Sequence, residues 1–184
     1  MSASVSDTEI LSKFQDEKTR NEAFNLLLQK YQQKIYWHVR RMVVNHDDAD
    51  DLVQDVFIKI WKNLPGFRSD AQLYTWMYRI ASNECITFLN KKKQKNNVSL
   101  DDVDYSLADT LAEGSYFNGD KAQKKLQEAI ITLPEKQRLV FNMKYYEDMK
   151  YEQMSEVLGT SVGALKASYH LAVKKIEAIL LAEE

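Results

Sequence analysis

Glycine and proline are scarce in this 184-residue chain, five and two respectively. That leaves little room for a fold built on tight turns, and the plentiful Leu, Ile, Met, Lys, Gln and Glu favour an all-helical protein. Cys85 is the only cysteine, which excludes an intramolecular disulfide and suits a reducing cytoplasm. No charged-then-apolar signal segment opens the chain, and no apolar run is long enough to cross a bilayer. The expectation is a soluble, cytoplasmic protein with no direct membrane insertion. Excess positive charge is also missing: 25 Lys and Arg stand against 27 Asp and Glu, a net charge of −2. Non-specific grip on DNA comes from neutralising phosphates, so this balance argues against a chain that holds DNA unaided. No internal repeat is visible.

The few helix breakers cluster. Pro65-Gly66, then Gly114 and Gly119, then Pro134, then Gly159 with Gly163 punctuate the chain. Between Asn96 and Asp120 there is no Lys or Arg, while Asp101, Asp102, Asp104, Asp109, Glu113 and Asp120 stand among small and polar residues. The segment follows a basic run, Lys91 to Lys95, so charge changes sign abruptly. A solvated, flexible acidic linker over 96–120 is expected, joining a larger helical domain, 1–95, to a smaller one, 121–184. Helical periodicity fills both sides. Glu22 to Met42 carries Phe24, Leu27, Leu28, Tyr31, Ile35, Val39 and Met42 on one face. Further helices are expected from near Asp47 to before Pro65, Leu73 to Lys91, Lys121 to Thr132, Pro134 (in the first turn) to Tyr146, Lys150 to Leu158 and Ser161 to Leu181.

The stretch HDDADDLVQDVFIKIWKNL, from His46, loads carboxylates onto a helix start. Asp47, Asp48 and Asp51 satisfy a DDxxD pattern, in which carboxylates one turn apart share a hard cation that holds a diphosphate. Enzymes of that kind need a second acidic motif on a facing helix and a longer chain, and neither is present. No metal or other cofactor, catalytic residue or small-molecule substrate is expected. Helix capping explains the first aspartates more simply. Leu52, Val53, Val56, Phe57, Ile60 and Leu64 share one face, with Asp51, Asp55, Ile58 and Lys62 opposite and Gln54 at the edge. An Ile amid charge fits a surface that docks another protein, and equally an ordinary solvent face.

Phe67-Arg68-Ser69-Asp70 reads as a loop before LYTWMYRIASN. Met77, Ala81, Glu84 and Phe88 share one side of the following helix, where Glu84 is unexplained; Trp76, Arg79, Asn83 and Thr87 share another. Aromatics beside cations suit single-stranded nucleic acid, with rings for bases and charges for phosphates. The alternative is that Trp76 and Tyr78 fill the core. Near the end, YEQMSEVLGTSVGALK has helix-turn-helix spacing: a short amphipathic helix, a Gly turn and a Ser-initiated second helix. Val162, Leu165, Tyr169, Ala172 and Ile176 would face inward, leaving Gly163, Lys166, Ala167, His170 and Lys174 for a groove.

In this order the motifs AFNLLLQKYQQKIYWHVRRMV, DADDLVQDVFIKIWKNLPGFR, YTWMYRIASNECITFLNKK and LPEKQRLVFNMKYYEDMKYEQMSEVLGTSVGALK resemble a bacterial RNA polymerase sigma factor of the extracytoplasmic-function group. The resemblance runs through nearly all of Glu22 to Ile179. It implies a transcription-initiation subunit whose partners are core RNA polymerase and promoter DNA. It implies core docking by Asp51, Gln54, Asp55 and Ile58. It further implies melting and reading of the −10 element, with Phe67, Arg68 and Asn83 at matching positions and one base flipped from the non-template strand; Trp76 and Arg79, on the Asn83 face, complete the expected −10 surface. The −35 duplex would be read by Ser161, Gly163, Lys166, Ala167, His170 and Lys174. An anti-sigma factor is a common partner in that family. The chain departs from the family pattern where Ser168, Leu171 and Val173 replace frequently basic residues. Two other functions compete: a stand-alone helix-turn-helix regulator with a sensor or dimerisation half, and a helical diphosphate enzyme on Asp47, Asp48 and Asp51.

Overall fold

The computed structural model describes residues 5–96 and 121–182, and all regular structure within them is helical. The expected acidic linker, 96–120, lies almost wholly outside the described residues. Helix α1 spans Asp7–Gln15, α2 Arg20–Val43, α3 His46–Asn63 and α4 Leu73–Asn96, with a 3-10 turn at Leu64–Gly66. The C-terminal set comprises α5 Lys121–Ile131, α6 Glu135–Tyr145, α7 Tyr151–Leu158 and α8 Val162–Ala182.

Helix α1 was not foreseen. Ser6 caps it by accepting the Glu9 N–H at 3.2 Å, and Ile10 and Phe14, four apart, are buried. Phe14 and Phe24 both pack nearly perpendicular to Trp61, with ring centroids 5.3 and 4.9 Å away, so α1 and α2 close over α3. The turn from α2 to α3 passes through Val44 at φ 65°, a strained conformation for a β-branched residue, held because Val44 is buried and its N–H reaches Arg40.

The cap of α3 corrects the expected one. Asn45, not an aspartate, is the N-cap, and its side chain accepts the Asp48 N–H at 3.0 Å. Asp47 and Asp48 occupy the first turn, where their charge favours the helix dipole. Pro134 likewise sits one residue earlier than expected, as the N-cap of α6. Gly159, at φ 62°, ends α7 in the left-handed conformation that favours glycine. Ser161 Oγ then accepts the Ala164 N–H at 3.3 Å and starts α8.

The apolar faces meet in two cores. A small one joins α5, α6 and α8 through Ile130, Leu133, Phe141, Ala172 and Ile176. The larger contains the α1–α4 residues together with Leu139, Val140, Met143, Met149, Met154, Val157 and Leu165. The C-terminal helices therefore share a core with the N-terminal ones, α7 lying on α4 and α6 on α2.

Candidate polymerase and nucleic-acid interfaces

The outward face of α3 is built as periodicity requires. Leu52, Val53, Val56, Phe57 and Ile60 are buried, while Asp51, Gln54 and Asp55 are exposed and Ile58 is 50% exposed. Ile58 is a large apolar side chain left in water beside two carboxylates and an amide. The neighbouring aspartates have other uses: Asp48 pairs with Lys92 of α4 at 2.8 Å, and Asp50 lies 3.5 Å from His46. Among the described residues, no three metal-capable side chains converge.

On the other side of α4, Phe67 and Trp76 pack ring to ring at 5.1 Å. Arg68, Arg79 and Asn83 are exposed, and Trp76 is partly buried. A cavity of about 200 Å³ opens beside Phe67, lined also by Phe14, Arg20, Leu64 and Ser69. The two aromatics weighed as core or surface thus separate. Tyr78 is wholly buried, whereas Trp76 keeps part of its ring at the surface beside Phe67. Glu84, unexplained in the sequence, pairs with Lys59 of α3 at 2.5 Å. The basic run is partly neutralised within the chain: besides Lys92 with Asp48, Lys93 pairs with Glu135 of α6 at 2.7 Å.

In α8, Leu165, Ala172 and Ile176 are buried, and Val162 and Tyr169 are partly so. Gly163, Lys166, Ala167, His170 and Lys174 are exposed together, and Ser161 is exposed at the helix start, where its hydroxyl serves as the cap. Leu171, at 55% exposure, is an apolar member of the outward surface.

Sequence reasoning missed the residues that bridge the two halves. Arg41 of α2 pairs with Glu147, in the α6–α7 turn, at 2.7 Å, and Tyr78 donates to the other Glu147 oxygen at 3.0 Å. The Arg41 guanidinium also lies 4.2 Å over the Tyr146 ring. Burial pushes the Glu147 carboxyl upward against the opposing pull of Tyr78 and Arg41. A second bridge joins α4 to α7 through Gln72, Thr75 and Arg79 on one side and Gln153 and Glu156 on the other.

Two family profiles match the chain: Sigma-70 region 2 over residues 27–95 and Sigma-70 region 4 over residues 123–176. The RNA polymerase sigma-H factor of Pseudomonas aeruginosa is 30% identical over 166 residues, which cover 86% of each chain. The ECF RNA polymerase sigma-E factor of Escherichia coli is 28% identical, covering 96% of this chain and 95% of that one. Similarity of fold extends to CnrH in complex with the cytosolic domain of CnrY, at a TM-score of 0.71 and 21% identity, covering 97% and 99% of the two chains. It extends also to the sigma factor RpoE in complex with the anti-sigma factor NepR from Bartonella quintana, at 0.71 and 20%, covering 88% and 98%.

Proposed function

Because the chain belongs to the sigma-70 family, in its extracytoplasmic-function group, we propose a division of labour between the two faces of its N-terminal half and the outer face of α8. The protein binds core RNA polymerase and promoter DNA and directs promoter-specific transcription initiation. In our reading, residues 1–95 dock on the polymerase and open the −10 element, 96–120 link, and 121–184 read the −35 element.

The observation that carries the reading is the separation of two surfaces on adjacent helices. Asp51, Gln54, Asp55 and Ile58 point outward from α3, and burying Ile58 against the polymerase would favour docking. Phe67, Arg68, Trp76, Arg79 and Asn83 belong to the loop and face that follow. There the rings offer stacking, the cations offer phosphate contacts, and the Asn83 amide can donate to and accept from a base edge. The cavity beside Phe67 supports reception of an unstacked base. Ser161, Gly163, Lys166, Ala167, His170 and Lys174 present the major-groove surface. Chemistry is left to the polymerase, so the chain needs no catalytic residue of its own. No described helix is long and apolar enough to cross a membrane, and the site of action is the bacterial cytoplasm, on the nucleoid when in holoenzyme. An anti-sigma factor is the expected regulatory partner.

Two variants test the division. Ile58→Asp should weaken binding to core polymerase at least tenfold in a fluorescence titration while leaving the helical spectrum intact. Asn83→Ala should leave core binding unchanged and lower open-complex formation in permanganate footprinting by about one to two orders of magnitude, the usual worth of a base-specific contact. On a promoter whose −10 bubble is already mismatched, the melting defect should shrink. Loss of core binding in the Asn83 variant would show that the two surfaces are not separable.

A further inference from the structure

A second cavity, of about 210 Å³, opens where four helices meet. Ile86 of α4, Leu139 and Val140 of α6, Leu158 of α7 and Leu165 of α8 line it. Leu139, Val140 and Leu165 are buried, and Ile86 and Leu158 are half-buried. Such side chains offer water no hydrogen bond, and apolar cavities of about 150 Å³ stay dry and take guests such as benzene. A water in the liquid occupies about 30 Å³, so the space here holds roughly seven non-hydrogen atoms.

The rest of the lining is polar: Lys136, Thr160 and Ser168. The Thr160 hydroxyl is spent on the Leu158 carbonyl at 3.4 Å, while Ser168 is half-buried and Lys136 exposed. Lys136 has no carboxylate partner among the described residues, and the neighbouring carboxylate, Glu135, is already paired with Lys93 at 2.7 Å. Lys136 is also the second residue of α6, whose N-cap, Pro134, supplies no side-chain hydrogen bond. The first-turn amides of α6 thus lack a capping side chain at the end where the helix dipole is positive. A cation and an uncapped helix start at an apolar hollow match a short alkyl tail with an anionic head.

We propose that this cavity binds a free medium-chain fatty carboxylate of about eight carbons, its tail among Ile86, Val140 and Leu165 and its head at Lys136 and Ser168. Among the described residues Lys136 is the one cation in the lining, which suits a single negative charge rather than a phosphate. The tail touches α4, α6, α7 and α8 together, so the folded chain alone binds it and binding stabilises the fold. None of these residues is assigned above to the polymerase or to DNA. The site is a separate one.

Calorimetric titration of the full chain with hexanoate, octanoate, decanoate and dodecanoate, each below its micellar concentration, tests this. Each buried methylene tightens binding about fourfold, so octanoate should bind more than about tenfold tighter than hexanoate, with a Kd of about 1 mM or below. Beyond octanoate the affinity should level off, because a full cavity gains nothing from a longer tail. A continued rise through dodecanoate would mark adsorption to the surface and overturn the site. Octylammonium, with the same tail and the opposite charge, should bind about tenfold more weakly than octanoate. Equal binding would reject the assigned head group. Ser168→Phe, which puts a ring into the cavity, should abolish octanoate binding, and Lys136→Glu should weaken it about tenfold. Octanoate should also raise the thermal midpoint of the wild type, and do so less in Lys136→Glu and not at all in Ser168→Phe. Should Ser168→Phe fail to fold, the exposed Lys136→Glu and the chain-length series carry the test. Octanoate affinity unchanged in the folded variants, or no saturable octanoate binding by the wild type, would overturn the proposal.

Discussion

His38 shows how a residue ordinarily poised to titrate near neutrality is disabled by its surroundings. The ring is fully buried, its Nε2 3.0 Å from Ser82 Oγ and its centroid 4.8 Å from that of Tyr78, while Nδ1 has no hydrogen-bond partner among the described residues. Burial, and secondarily the positive charge of Arg41, lowers its pKa to about 3. In the unfolded chain the ring returns to its ordinary value near 6.5. Between those two values the unfolded state binds more protons than the folded one, so lowering the pH favours unfolding. The stability this group allows is fully present above about pH 6.5 and is lost as pH falls toward 3, by up to about 1.4 kcal/mol per unit. His38→Gln, which keeps a partner for Ser82, should flatten that dependence at a cost of about 1–2 kcal/mol at pH 8. Urea unfolding midpoints at pH 8, 6 and 5 read it directly. Parallel losses in the two proteins would mean that His38 is not the group responsible.

At the scale of elements, Asn45 governs α3 more than the aspartates that follow it. Its side chain accepts the Asp48 amide, and Asn45→Ala should cost about 1 kcal/mol, lowering Tm by about 2–4 °C. Asp47→Asn, which removes first-turn charge but no cap, should cost less, and the reverse order in calorimetry would restore the aspartates as the anchoring group. The aspartate run is dense, yet the single Asn before it carries the cap. Helix faces were legible for a plain reason: a period of 3.6 residues separates buried Leu52, Val56 and Ile60 from exposed Asp51, Asp55 and Ile58 without reference to any neighbour. The start of α1 is legible too, in the Ser6-to-Glu9 spacing and the pair Ile10 and Phe14. What periodicity does not encode is which face meets which. Thr75, Glu147 and Glu156 are polar residues of the kind that solvent usually receives. Their partners lie 81 residues apart for Thr75 with Glu156 and 106 apart for Arg41 with Glu147, beyond reach of any local pattern.

Charge at the scale of the whole molecule argues for a protein that needs its polymerase. The chain is slightly acidic, and several cations are committed to its own carboxylates: Lys92 to Asp48, Lys93 to Glu135, Lys59 to Glu84 and Arg41 to Glu147. The outward surface of α8 carries Lys166, Lys174 and Lys175, with His170 between them, and Lys175 also donates to the Thr132 carbonyl at 2.9 Å. A duplex held by so few cations releases few counterions, and each neutralised phosphate contributes about 0.9 to the slope of log K against log salt. The free protein should therefore bind a promoter duplex weakly at physiological ionic strength, with a slope shallower than about −4. Holoenzyme, which adds the polymerase surface, should bind more tightly and respond more steeply to salt. Mobility shifts of both species over a salt series make the comparison. Tight, sequence-specific duplex binding by the free chain with a steep slope would instead mark a regulator that reads DNA on its own. The same preparation should then fail to direct run-off transcription from core polymerase when no other sigma factor is supplied.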